Sequence, residues 1–280
     1  MTTEAFFIAY DKVLAKWPEG TEHRTVSTPF GDTYAAVCGP VGAPPLVLLP
    51  GGGATAGSWF ANVAKWARKR RVYAVDLIGE AGRSAPDASR PIRSVADLTG
   101  WLDALLDGLG AEEPVDLCGH SYGAWIALHY ALHAPHRVRR LVLVDPTQCF
   151  AGFRPGYLLH ALPMLLRPSA RRTRAFLTWE TGGVPLDPDW LRLQEHTADF
   201  PTVKPVTGPR PAPDALRALR LPVLVLLAGR GRAHDAGKVA ARAADLLPAV
   251  RTAVLRDVGH HGLPHTRTAE LNGRVAEFLG

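Results

Sequence analysis

Residues 114–132 read Pro114-Val115-Asp116-Leu117-Cys118-Gly119-His120-Ser121-Tyr122-Gly123-Ala124-Trp125-Ile126-Ala127-Leu128-His129-Tyr130-Ala131-Leu132. The first five residues are a short, apolar, strand-like stretch. The last nine are helical in composition, and Pro135 follows them. Between the two stands G-x-S-x-G. A strand, a sharp turn and a helix in that order is the setting in which a serine is raised clear of a sheet edge as a nucleophile. The two glycines have a steric reason, because a turn this tight brings strand and helix backbones too close for a Cβ at either flanking position. The serine itself is expected to hold a strained backbone conformation. Five residues alone are a weak signal, so the segments around them have to carry the assignment.

Working outward, continuous apolar runs occur at Leu46-Val47-Leu48-Leu49, Val72-Tyr73-Ala74-Val75, Leu141-Val142-Leu143-Val144 and Val223-Leu224-Val225-Leu226-Leu227. Runs of this kind are expected of strands buried on both faces. Val115-Asp116-Leu117 and Thr252-Ala253-Val254-Leu255 complete the set. Helical stretches at about 57–69, 94–109, 122–134, 236–247 and 266–279 separate them. In the last, Leu271, Val275 and Phe278 or Leu279 share one apolar face. Ahead of this series, residues 21–26 and 33–38 flank a Pro29-Phe30-Gly31-Asp32 turn and read as an antiparallel hairpin. Strands alternating with helices predict an α/β fold, a mostly parallel sheet flanked by helices. Residues 147–213 interrupt the alternation. They hold no buried strand, three short helices at 156–166, 170–179 and 189–197, and a proline-rich connector over 201–213. The expected organisation is a core of residues 1–146 and 214–280 with a helical cap inserted at 147–213.

Composition narrows the class. The 280 residues are 47% hydrophobic and 21% charged, ordinary for a globular chain with a full core. There is no apolar run of ~18 residues, so no membrane span is expected. The first ten residues include Glu4 and lack the basic start and long apolar stretch of a secretory signal. Cys38, Cys118 and Cys149 are too few and too far apart for a metal site or a disulfide framework, and a reducing, cytoplasmic setting is expected. The formal charge of +6 comes mostly from arginine, clustered at 68–71, 137–140 and 167–174. These clusters have no interleaved stacking aromatics and match no nucleic-acid motif, so they read as solvated helix ends and loops. Oligomeric state leaves no signature in the chain.

The first parallel strand runs into Pro50-Gly51-Gly52-Gly53. Glycines there let backbone N–H groups approach a substrate and stabilise an oxyanion. The candidate donors are the N–H groups of Gly52 and of Tyr122, the residue after the serine. A phosphate cradle is disfavoured because no G-K-[ST] follows. Near the other end, Val258-Gly259-His260-His261-Gly262 follows the last strand. A histidine on that loop can reach over the sheet edge and act as general base. His260, directly after Gly259, is favoured over its neighbour His261. Phe150, Phe153, Tyr157, Trp179, Trp190 and Phe200 in the insertion, with Trp59 and Phe60 after the glycine loop, offer apolar surface for an acyl or aryl group. Packing within the cap and helices is their competing role.

Together these pieces resemble the α/β-hydrolase family, over nearly the whole chain. Asp76-Leu77-Ile78-Gly79-Glu80-Ala81-Gly82-Arg83-Ser84 looks like the family's D-x-x-G-x-G-x-S loop with one extra residue. The resemblance implies a Ser–acid–His triad, a two-amide oxyanion hole and a helical cap. Besides the extra residue there are two departures. Pro50-Gly51 replaces the frequent His-Gly, and the stretch after 223–227 reads Gly229-Arg230-Gly231-Arg232, with arginine where the family usually places its acid. Two carboxylates keep the order Ser, acid, His. Asp145 ends the strand 141–144, and Asp235 lies three residues beyond Arg232. Each has a structural alternative: a turn before Pro146 for Asp145, a helix N-cap for Asp235. The expected activity is hydrolysis of a small-molecule carboxylic ester or thioester through an acyl-enzyme on Ser121, with no cofactor and no metal. The same site could instead serve acyl transfer, cyclisation, carbon–carbon cleavage or lyase chemistry. A non-catalytic binder is the third possibility, and Arg232 is the one feature in its favour.

Overall fold

The computed structural model describes residues 3–111 and 113–280. The chain opens with α1 (Thr3–Leu14), followed by the hairpin β1 (Glu22–Thr28) and β2 (Gly31–Cys38) and by β3 (Pro45–Leu49). A 3-10 turn at Ala56–Trp59 and the single-turn α2 (Val63–Trp66) lead to β4 (Arg71–Val75). Then come the two-residue β5 (Ala85–Pro86), α3 (Val95–Gly108), β6 (Val115–His120), α4 (Tyr122–His133) and β7 (Val138–Val144). The insertion holds α5 (Pro155–Leu166), α6 (Ala170–Glu180) and α7 (Pro188–Thr197), and α8 (Pro213–Ala218) follows. The chain closes with β8 (Val223–Ala228), α9 (Ala236–Leu246), β9 (Val250–Leu255) and α10 (Thr268–Leu279).

The strands form one sheet in the order β1-β2-β4-β3-β6-β7-β8-β9, with β5 paired to β2. The hairpin is antiparallel, β2 also meets β4 antiparallel, and every pairing from β4 to β9 is parallel. Buried parallel strands need apolar side chains on both faces. In β3, Leu46 and Leu48 face one core while Val47 and Leu49 face the other. The first core lies under α1, α2 and α10, the second under α3, α4 and α9. Each leucine buried in this way contributes roughly 1.5–3 kcal/mol.

The chain leaves β3 towards β4 on one side and returns to β6 on the other. The carboxyl ends of β3 and β6 therefore border the topological switch point, where ligands of open α/β sheets bind. The helix expected over about 57–69 is broken into the 3-10 turn and α2. Gly57 explains part of this: a Cβ there would stand 3.0 Å from the Tyr10 ring and 3.1 Å from Val13. The turn is shaped by the close approach of α1, an element the sequence reading did not assign. Phe6, Tyr10 and Val13 of α1 are buried at helical spacing, and Lys16 just beyond it bridges to Asp187 and Asp189 at the start of α7.

Candidate active site

Ser121 occupies the turn between β6 and α4 with φ 53° and ψ −112°, a conformation L-residues avoid. The glycines make the turn possible. A Cβ on Gly119 would lie 2.3 Å from the Gly123 carbonyl oxygen, and one on Gly123 would lie 2.3 Å from that of Pro50. The Ser121 N–H donates to the Val144 carbonyl at 3.0 Å, pinning the elbow to the end of β7.

His260 follows β9 on its loop and is almost wholly buried. Its Nε2 is 2.8 Å from Ser121 Oγ, and its Nδ1 is 2.5 Å from Asp145 Oδ2. Asp145 stands directly after β7 with φ 43°. Its N–H donates to the Leu226 carbonyl at 2.7 Å, and its Oδ1 accepts from the Ala228 N–H at 2.9 Å and faces His234 Nε2 at 3.1 Å. Burial alone would raise the Asp145 pKa, but hydrogen bonds from His234 and His260, with their charge, hold it far below the usual carboxylate range. For His260, burial disfavours the charged ring, yet the Asp145 hydrogen bond and charge outweigh it, so its pKa lies above the ordinary histidine value.

Asp235, the other acid candidate, goes elsewhere. Its carboxylate caps α9 by accepting from the Lys238 N–H at 3.0 Å and lies 3.3 Å from Arg154. Arg232, at the position the family pattern reserves for an acid, lays its guanidinium over the Trp179 ring, 4.6 Å from the centroid.

Gly52 lies in the loop after β3, packed against Tyr122: a Cβ on it would be 3.6 Å from the Tyr122 Cβ. The Tyr122 N–H is the first amide of α4, and a helix offers its opening amides no internal acceptor. The positive end of the α4 dipole points the same way. The glycine loop is braced by half-buried Glu80, whose Oε2 accepts from the Gly53 N–H at 2.9 Å, and burial raises the Glu80 pKa. Buried Asp76 braces the neighbouring segment, accepting from the Ala56 and Arg83 N–H groups and the Tyr10 hydroxyl, each at 2.7 Å. Its burial pushes its pKa up to about 6.

Several contributors have no counterpart in the sequence reading. Glu180, the last residue of α6, is fully buried beneath the histidine loop. It accepts from the His260 N–H at 2.8 Å and the His261 N–H at 3.0 Å, and it lies 3.2 Å from His261 Nδ1. Despite burial, its contacts with His261 and the charge of His260 hold its pKa down at about 2. His120, the variable residue before the serine, donates through Nε2 to the His260 carbonyl at 3.1 Å, with burial keeping its ring neutral. Trp190 and Gln194 of α7, with Ser58, His261 and His265, close over Ser121, leaving a cavity of about 30 Å³. A larger apolar crevice of about 160 Å³ runs past Tyr122, Leu77, Ile78, Leu98, Ile126 and Val206, but Ser121 is not among its walls. The polar contacts, rather than cavity size, locate the chemistry.

The aromatic candidates divide. Trp59 is completely buried with its ring 5.9 Å from Trp66, and Phe150 is buried in the core beneath α3 and α4, so neither is available to a substrate. Phe153 stacks on Tyr157 at 5.5 Å, and Tyr157 stands edge-on to the His260 ring at 6.4 Å. Trp179 stacks on His160 at 3.9 Å. Of the others, Phe200 packs on Phe6 with centroids 4.2 Å apart, and Phe60 stacks on His265 at 5.2 Å.

A strained elbow serine, a histidine loop, a strand-end carboxylate and a glycine loop at the switch point define a serine-nucleophile α/β-hydrolase arrangement. The chain belongs to the alpha/beta hydrolase family, whose model matches residues 46–274. It is 32% identical to the carboxylesterase YbfK of Bacillus subtilis, over 98% of this chain and 93% of that one. It is 29% identical to an uncharacterized carboxylesterase, nap, of the same organism, over 98% and 92%. Among solved structures, carboxylesterase CesB (YbfK) from Bacillus subtilis superposes with a TM-score of 0.91 at 30% identity, covering 99% of both chains. The naproxen esterase from that organism superposes with a TM-score of 0.91 at 27% identity, covering 100% of this chain and 99% of that one. These full-length likenesses support an ester-hydrolysing enzyme.

Proposed function

We propose that this chain hydrolyses small carboxylic esters through an acyl-enzyme on Ser121. The observation that carries the reading is the unbroken relay from Ser121 Oγ to His260 Nε2 at 2.8 Å and from His260 Nδ1 to Asp145 at 2.5 Å. Ser121 Oγ attacks the ester carbonyl as His260 takes its proton at Nε2. Asp145 keeps the Nδ1–H tautomer in place and stabilises the imidazolium that forms. The Gly52 and Tyr122 N–H groups donate to the oxyanion. His260 then gives its proton to the departing alkoxide, leaving the acyl-enzyme. Water, deprotonated by the same ring, attacks the acyl carbon, and collapse of the second tetrahedral intermediate frees the acid and Ser121.

His234 and Glu180 act as positioning residues in this scheme, the first on Asp145 and the second on the backbone of the His260 loop. The cap is the segment 147–213, and its α7 roofs the serine. A space of about 30 Å³ holds about one water, so an ester enters when Trp190 and Gln194 give way. The apolar crevice beyond Tyr122 favours an apolar acyl or aryl group. A binder without catalysis loses its one supporting feature, because Asp145 stands where Arg232 does not.

A fluorophosphonate probe tests the reading. The wild type is expected to be labelled and to turn over a short p-nitrophenyl ester, and Ser121→Ala to do neither. Absence of both labelling and turnover in a folded wild type would reject it.

A further inference from the structure

We infer that the outer face of α5 is a docking surface for an anionic phospholipid layer. This goes beyond the proposed hydrolysis and does not depend on it. The helix reads Pro155-Gly156-Tyr157-Leu158-Leu159-His160-Ala161-Leu162-Pro163-Met164-Leu165-Leu166. One face, Tyr157, Ala161 and Met164, packs inward against the core beneath it. On the other face Leu158, Leu159, Leu162, Leu165 and Leu166 are all exposed, Leu159 and Leu166 at 68% and 70%. Spacings of three, four and seven residues place these five side chains in one continuous patch. They are half of the ten large apolar side chains that the described residues expose. A patch of this kind on a single helix marks a surface that meets something apolar.

Charge decides between occupants. The 26 residues from Arg154 to Trp179 carry five arginines and no aspartate or glutamate. Arg154 pairs with Asp235 and Arg174 with Glu195. Arg167, Arg171 and Arg172 lie at the carboxyl end of α5 and the start of α6, with no carboxylate within salt-bridge distance among the described residues. A leucine face bordered by cations is the pattern of a helix that lies in the plane of an anionic lipid surface. A second copy of the chain fits less well, since a twofold contact through α5 would bring two arginine clusters together. The net charge of +6 favours the same anionic partner. Among the described residues no helix is long and apolar enough to cross a membrane, so the contact is peripheral. The inner face of α5 sets Tyr157 against His260, and docking therefore takes place above the catalytic pocket.

Vesicle co-sedimentation of the full chain carrying Ser121→Ala tests this without lipid turnover. Binding to phosphatidylglycerol vesicles in 0.1 M salt is expected to exceed binding to phosphatidylcholine vesicles at least tenfold, and to weaken as salt rises. Leu159→Glu with Leu166→Glu should reduce it at least tenfold, and Arg167→Gln with Arg171→Gln several-fold. In the Ser121 background the same leucine changes should leave turnover of a soluble short-chain ester within about twofold, which shows that the variants fold. No preference for the anionic vesicles, or binding that survives the leucine changes, overturns the proposal. So does a dimer that those changes dissociate while vesicle binding stays the same, which assigns the face to a second copy. Vesicle binding by a protein that never hydrolyses soluble esters would leave this inference standing and reject the proposed function instead.

Discussion

The end of β7 and the end of α6 each deliver a buried carboxylate to the same histidine loop, and the two meet it differently. Asp145, after β7, meets the imidazole itself at Nδ1. Glu180, at the end of α6, leaves the His260 ring alone and meets backbone and the neighbouring ring, through the His260, His261 and Arg232 N–H groups and His261 Nδ1. In the proposed reaction the first contact sets the proton affinity and tautomer of the base, and the second sets where the base stands. An acid that touches a reacting ring can be replaced by nothing neutral without losing charge stabilisation, whereas an acid that holds a backbone can be replaced in part by any acceptor of the same shape.

The sharpest way to break this contrast is Asp145→Asn. On the proposed reaction it should lower kcat about 10⁴-fold with little change in KM, because the ring loses its correct tautomer and its counter-charge. Steady-state kinetics on a soluble ester measures this, and a loss below about tenfold would dismiss Asp145 as the triad acid. Glu180→Gln comes next. It leaves the ring's partner in place but keeps one acceptor oxygen for the His260 and His261 N–H groups and turns an NH2 towards the other donor, a defect of roughly 1–3 kcal/mol, or about 10–100-fold in kcat. A purely structural role would lower only the melting temperature and leave the kcat of the folded fraction intact.

The two acids also differ in what pH should show. In the proposed reaction His260 must be neutral to accept the serine proton, and its pKa lies above the ordinary histidine value of 6.5 because Asp145 favours the charged ring. As pH falls, log kcat/KM should therefore begin to drop above 6.5, and Asp145→Asn should move that limb downward. Glu180 reports on stability instead. Its pKa in the fold is about 2 against an ordinary 4.5, so the unfolded chain binds the proton more tightly. Its contribution is complete above about 4.5 and is lost as pH falls towards about 2. Thermal melts should show Glu180→Gln less stable than wild type at neutral pH, with the gap narrowing across that acid window. A gap independent of pH would mean that Glu180 is not held as a carboxylate.

The same contrast explains what could be read from the chain. The apolar runs became β3, β4, β7 and β8 because a doubly covered parallel strand has to be apolar throughout. Ser121, His260 and the glycine loop could be read as candidates because the chemistry proposed for them is tied to local turns. The acid could not be fixed in the same way. β7 and β8 are neighbours in parallel register, and Asp145 N–H bonds to Leu226 of the adjacent strand. Loops leaving either strand end at the same edge, so a carboxylate from either can reach the imidazole, and spacing along one loop does not choose between them. Arg232 shows the outcome, turned outward onto Trp179 while Asp145 takes the inner position. Glu180 had no local signature at all, lying 80 residues from its partner at the end of an ordinary helix. Trp59 and Phe150 read as site candidates because bulk aromatic surface looks alike in a core and in a pocket. Only their burial separates the two.

The smallest expected effects belong to the residues around Asp145 that do not touch the base. His234 points Nε2 at the second carboxylate oxygen, which also accepts the Ala228 N–H, so one donor remains when the ring is removed. His234→Ala should cost about tenfold in kcat, and His234→Gln, which retains an N–H donor, should recover much of it. Asp235 stands only one residue further along the chain, yet its carboxylate serves the α9 N-terminus and Arg154. Asp235→Ala should leave kcat and KM at wild-type values and cost about 1 kcal/mol of stability from the lost cap, and Asp235→Asn, which still caps, should cost almost nothing. The pair of neighbours then separates by mechanism: turnover falls for one with little change in melting, and melting falls for the other with no change in turnover. A kcat loss in Asp235→Asn comparable to that of Asp145→Asn would reverse the assignment and place the working acid on the β8 side of the sheet edge.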